Sequence, residues 1–174
     1  MTLNRWSVVL ASTVALIACD NPTAPPGIDR LNARWAGRDW VGTASAELTR
    51  GGISGDTLYL FSRGPLNSDP AALVAENHIV AKVAFRGVGT YPLGPGSARF
   101  EQWVGGDVVT ATYSTSAEAS GTLVITKYAG IGGNIEGTLS FDAVSTSQSR
   151  NFGERARLED GRFRTTLQLP ERAL

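Results

Sequence analysis

The chain has one cysteine, one histidine and one methionine in 174 residues. A single thiol cannot close an intramolecular disulfide, so any fold must hold by packing and hydrogen bonds alone. With only His78 and Cys19 available, a zinc site of three or four His/Cys ligands cannot be assembled. A Ser/His/Asp triad would rest entirely on His78, and no Gly-x-Ser-x-Gly elbow occurs. EF-hand loops of Asp-x-Asp-x-Asp type are missing, and Gly130-Ile131-Gly132-Gly133-Asn134 lacks the Lys-Ser/Thr ending of a phosphate loop. An excess of one charge sign is missing too: Lys plus Arg and Asp plus Glu number 16 each. That balance excludes a broad nucleic-acid footprint and a polybasic membrane stripe. No cofactor and no metal are therefore expected, and the chain reads as non-enzymatic. A less favoured hydrolase reading would need paired carboxylates; Glu101, Glu118 and Glu136 fall in or beside predicted strands and most simply face solvent.

What is present begins at the N-terminus. Arg5 gives a positive start, and Val8 to Ala18 form an apolar run shorter than the roughly 20 residues a membrane-spanning helix needs. Leu16-Ile17-Ala18-Cys19 looks like a bacterial lipobox, with a branched and a small residue before the cysteine that is acylated. Cleavage is expected between Ala18 and Cys19, leaving lipid on the Cys19 thiol. Two or three acyl chains, each methylene contributing about 0.8 kcal/mol, would hold the protein stably on a bilayer. The expected organisation is a signal peptide over 1–18, an acylated Cys19 with a polar, Pro-containing tether over 19–30, and one domain over 31–174. No apolar run of membrane-spanning length follows the leader.

The body alternates with a period of two. Ile79, Ala81, Val83 and Phe85 share one face, as do Ile135, Leu139, Phe141 and Ala143, and Phe163, Thr165, Leu167 and Leu169. Further strands are predicted over 34–41, 43–48, 57–63, 99–104, 108–114 and 121–128. Gly-rich connectors at 51–56, 105–107, 130–134 and Asp160-Gly161 suit tight hairpins. One short helix is predicted, capped by Asp69 and running from Pro70 to Glu76. The predicted fold is all-β: an antiparallel β-sandwich or closed β-barrel of about eight to ten strands, after an N-terminal signal helix and a flexible tether.

Lipobox, tether, Gly-Thr-Tyr-Pro-Leu-Gly (89–94), Ser-Gly-Thr-Leu-Val-Ile-Thr-Lys-Tyr (120–128), Ile-Glu-Gly-Thr-Leu-Ser-Phe-Asp-Ala (135–143) and Asp-Gly-Arg-Phe (160–163) together resemble small bacterial envelope lipoproteins with an all-β domain of unknown function. The resemblance covers most of the mature chain. It implies a compact β-body lipid-anchored to the inner or outer membrane, with the domain outside the cytoplasm, and brings no catalytic residues. An interaction or structural role follows, with an envelope protein or glycan as partner. The alternative is a module binding carbohydrate or an apolar small molecule through Trp35, Trp40 or Trp103. In a regular strand, Trp35 and Trp40 fall on opposite faces, unless a bulge near Gly37 intervenes. The C-terminal arginines, interleaved with acids, read as a solvated face with cross-strand ion pairs.

Cys19→Ser is expected to abolish membrane retention while leaving the body folded. Sedimentation of the serine variant with membranes after a high-salt wash would contradict the lipid anchor.

Overall fold

A computed structural model describes residues 29–51, 55–64, 75–104, 108–147 and 152–170. The leader, Ala18, Cys19 and nearly all of the tether lie outside the described residues, as does 65–74, where most of the short helix is predicted. The end of that helix is corrected: Ala75 and Glu76 open a strand. Within the described residues there are ten strands and no helix. They are β1 (Arg30–Trp35), β2 (Arg38–Thr49), β3 (Thr57–Gly64), β4 (Ala75–Ala84), β5 (Gly89–Leu93), β6 (Ala98–Val104), β7 (Val108–Ser114), β8 (Gly121–Tyr128), β9 (Asn134–Ser145) and β10 (Arg155–Gln168).

All ten belong to one sheet whose hydrogen bonding closes into a ring. Going round, β1 pairs with β2, β2 with β3, β3 with β4, β4 with β6, β6 with β7, β7 with β9, β9 with β10, and β10 returns to β1. Each of these pairings is antiparallel. β5 and β6 run in the same direction along successive levels, as do β7 and β8, so the ten strands act as eight staves of an up-and-down, barrel-like fold. Both staves break at Thr115, whose buried hydroxyl donates to Gly94 O (2.7 Å) and accepts from Ala98 N (3.1 Å). Closure leaves few strand edges open to association with other chains. Past the start of β1, the end of β10 meets β2 directly in a short parallel contact, Leu167 opposite Ala46.

Alternation decides what lies inside. Ile79, Ala81, Val83 and Phe85 point inward, as do Ile135, Leu139, Phe141 and Ala143. The core centres on Trp35, stacked on Phe100 (centroids 4.2 Å, planes 11° apart) and ringed by Tyr113, Phe141 and Phe152. Such aromatic pairs contribute about 0.5–1.5 kcal/mol each beyond the area they bury. The outer wall, by contrast, carries Arg34, Arg63, Lys82, Arg99, Asp142 and Arg157. A membrane-spanning barrel has the reverse arrangement, with an apolar band outside.

Three readings of the sequence are corrected by local geometry. The strand predicted over 34–41 is a hairpin: Ala36 (φ 49°) and Gly37 (φ 76°) form its two-residue turn, and Trp35 faces Arg38. The turn restores parity, so Trp35 and Trp40 both point inward. Asp160-Gly161 is a β-bulge within β10 and joins no hairpin; Asp160 takes φ 53° and the register slips between Leu158 and Gly161. The bulge lets Leu158 and Phe163 face inward despite their odd spacing. Leu169, assigned to the inward face, lies past the end of β10 and is exposed. One strand goes beyond those predicted, β5, where Pro92 is tolerated because the strand pairs on one side only. Gly137 is demanded by packing: a Cβ there would overlap Val124 O and press on the Phe163 ring.

Phe141 is 2 % exposed inside the ring, and Asp142 points outward to Arg157. Phe141→Asp should therefore unfold the domain, because a buried unpaired carboxylate costs several kcal/mol or more. Asp142→Ser should change stability by about 1 kcal/mol or less, the usual range for an exposed ion pair. Equal melting temperatures for the two variants would contradict the inward face of β9.

Candidate functional site

The three tryptophans proposed as a binding surface are not brought together. Trp35 and Trp40 are fully buried, which removes both from any surface platform. The Trp40 indole N–H donates to the buried Ser62 hydroxyl at 3.2 Å, so its polar edge is satisfied inside the wall. Trp103 alone of the three is partly accessible, on the outer face of β6.

Alternation builds a patch around it. Glu76 and His78 are two residues apart on β4 and share its outer face; Glu101 and Trp103 do the same on β6. The register sets Glu76 opposite Trp103 and His78 opposite Glu101. The His78 and Trp103 rings lie 5.2 Å apart with planes tilted by 33°. From the neighbouring β3, Arg63, opposite His78, hydrogen-bonds Glu76 through its Nε. Glu101 receives Arg99 (2.8 Å) and the Trp103 indole N–H (3.3 Å). His78 Nε2 stands 3.5 Å from Glu76 Oε2, near enough to pair when the imidazole is protonated. Beyond Trp103, the β6 and β7 ends expose Val104, Val108 and Val109. The result is an aromatic ledge with committed carboxylates on one side and apolar side chains on the other. Among the described residues, no group of three His, Cys, Asp or Glu side chains converges as a metal site requires.

A second concavity lies on the outer wall between β4 and β5. β6 pairs with β4 only as far as Ala81, and the Lys82 amide makes the last contact, to Ser97 O at 2.8 Å. β5 turns away to pair with β8, so no strand pairs with β4 across Lys82–Ala84 on that side. The seam is a groove of about 620 Å3 lined by Tyr59, Lys82, Arg86, Thr90, Pro92 and Ser97 among others, with no carboxylate lining it among the described residues. Tyr91 closes its floor, its hydroxyl donating to Gly87 O (2.6 Å) and accepting from Arg86 N (3.0 Å). Neither Lys82 nor Arg86 forms an ion pair among the described residues.

Several charges elsewhere on the wall are paired. Asp142 takes a two-pronged contact from Arg157, and Glu136 sits between Lys127 (3.1 Å) and Arg164 (3.3 Å). The Arg157 and Arg164 contacts are cross-strand pairs of the kind expected of the C-terminal arginines. No protein-family model, curated protein or solved structure matches the chain. The outer patch and the seam therefore rest on their own geometry.

The Arg63 hydrogen bond holds the Glu76 carboxyl below its ordinary 4.5; burial opposes this, and the Arg63 charge and His78 assist less. Arg157, by its hydrogen bond first, likewise holds Asp142 below 3.8. A depressed carboxyl stabilises the folded state above its unfolded pKa, and that contribution disappears as pH falls through the lower folded value. Stability should thus decline below about pH 4.5, and Glu76→Gln should make that decline shallower. Identical acid-melting profiles for the two proteins would contradict the coupling of Glu76 to Arg63.

Proposed function

We propose that the chain is a lipid-anchored protein of the bacterial cell envelope, held by acylated Cys19, whose β-domain serves an interaction or structural role without catalysing a reaction. The lipobox and polar tether support the anchor. The nature of the interior supports the rest. A barrel that binds a small molecule inside needs a lumen, whereas here Trp35, Trp40, Phe100, Tyr113, Phe141 and Phe163 occupy the space enclosed by the wall. Recognition then falls to the outer surface. The observation that carries this reading is the ledge of Trp103 and His78 with exposed valines beside it, since partly exposed aromatics with a polar edge are favoured at protein contacts. A carbohydrate-binding role is the second reading; it is favoured by the same accessible indole, which can stack on a sugar ring.

A photo-reactive side chain placed at position 103 of the full lipidated chain, in its native envelope, tests the proposal. A discrete protein adduct from position 103, and none from position 162 on the outer wall of β10, is the expected outcome. Adducts of glycan mass would move the assignment to the second reading. No adduct, or the same adducts from both positions, would contradict a role for this face.

A further inference from the structure

The two ends of the barrel differ in which segments they expose. β1 starts toward, and runs away from, the end that carries the β4–β5 loop, the β8–β9 loop and the end of β10. That end presents three large apolar side chains to solvent: Val88 at 62 %, Ile131 at 38 % and Leu169 at 48 % exposure. They sit on a connected rim. Ile131 is held out between Gly130 (φ 87°) and Gly132 (φ 78°). The Gly132 amide donates to Leu167 O (2.8 Å) and the Leu167 amide to Gly133 O (2.9 Å), which ties this loop to the segment bearing Leu169. The β4–β5 loop is fixed to the same hairpin by the Phe85 ring meeting Tyr128 edge-on at 5.0 Å. Three exposed apolar tips gathered on one connected rim suit a partner of low polarity.

The rim also carries cations. Lys82 and Arg86 line the open seam beside it; among the described residues they form no ion pair and no carboxylate lines the groove. Of the acids at this end, Glu136 is engaged by Lys127 and Arg164, and Asp29 accepts from the Thr165 hydroxyl and the Thr166 amide. Among the described residues at this end, Glu47 and Asp56 are the remaining opposing charges.

We infer that this rim is a membrane-docking face, with Val88, Ile131 and Leu169 entering the headgroup region of a bilayer and Lys82 and Arg86 meeting its anionic headgroups. The inference rests on the reading of Cys19 as a lipid anchor. Ten residue steps link Cys19 to Asp29, a reach of at most about 36 Å. The chain leaves the wall level with Thr43, and the strand from there to Thr49 uses about 20 Å of that reach. About 15 Å of reach then remains, so a bilayer holding Cys19 lies within reach of the rim. Apolar tips and cations together bind a lipid surface more tightly than either does alone. A docked rim would also turn the Trp103 ledge, at the other end of the barrel, away from the membrane.

The test uses the full lipidated chain in vesicles containing anionic phospholipid, with an environment-sensitive fluorophore attached after Val88→Cys, Ile131→Cys or, as the far-end reference, Val109→Cys. Acylation blocks the Cys19 thiol, so each variant carries one label. Headgroup-proximal spin-labelled lipid should quench the probes at 88 and 131 several-fold more than the probe at 109. Quenching at 88 and 131 should fall when Lys82→Glu and Arg86→Glu are introduced together. Loss of the protein from vesicles on washing would overturn the anchor itself. With the protein retained, equal quenching at all three positions, or stronger quenching at 109, would overturn docking while leaving the anchor intact. Quenching unaffected by the paired Glu substitutions would overturn the assignment of Lys82 and Arg86.

Discussion

The antiparallel register between β1 and β10 is the constraint on which the other features depend. Leu31 opposite Phe163 and Trp35 opposite Leu158 bring the first and last strands together. Without that pairing, the ring would open along two long edges and Trp35 would lose the strands that surround it. Closure is specified from both sides. The positive-φ turn at Ala36-Gly37 aims Trp35 inward, and its Ala36 amide donates to Arg157 O on β10 at 2.9 Å. The bulge at Asp160 lets β10 keep one apolar face against the core along its whole length, while Arg34 reaches Asp160 on the outside at 2.8 Å. The large contribution is the buried aromatic packing; the exposed ion pairs add specificity of register and little free energy.

A wall closed and filled in this way leaves chemistry to the outside. The two features that stand out there share an origin in strand register. The Trp103 ledge exists because β4 and β6 align Glu76 with Trp103 and His78 with Glu101. The seam exists because that same β4–β6 ladder stops at Ala81, when β5 leaves to pair with β8. One end of the barrel thus gains a mixed aromatic and charged surface, and the other gains a cationic groove beside apolar loop tips. Under the proposed lipid anchor, that asymmetry would separate a membrane-facing side from a partner-facing side.

Much of the architecture was legible because antiparallel strands with one wet face write a period of two into the sequence. β4, β9 and most of β10 follow it residue by residue. The failures occur where a single residue resets the phase. Ala36 adopts a left-handed conformation that alanine seldom takes, so a hairpin read as a continuous strand, and Trp35 and Trp40 fell on opposite faces. Asp160-Gly161 has the composition of a turn, yet its positive φ serves a bulge. β5 escaped because Pro92 and two flanking glycines mask a five-residue strand. Of the candidate site, Trp103 was legible. Its neighbours could have been anticipated in pairs, since Glu76-x-His78 and Glu101-x-Trp103 both space two side chains on one face. What joins the pairs is the β4–β6 register, a long-range property with no local signal.

Ring closure is tested most directly by amide hydrogen exchange on the full chain. Amides of β1 that bond to β10 should exchange about as slowly as those linking β9 to β10, because closure makes both part of the same cooperative unit. Exchange in β1 faster by orders of magnitude, with β9 and β10 still protected, would show β1 to be a loosely attached flap and the ring to be open.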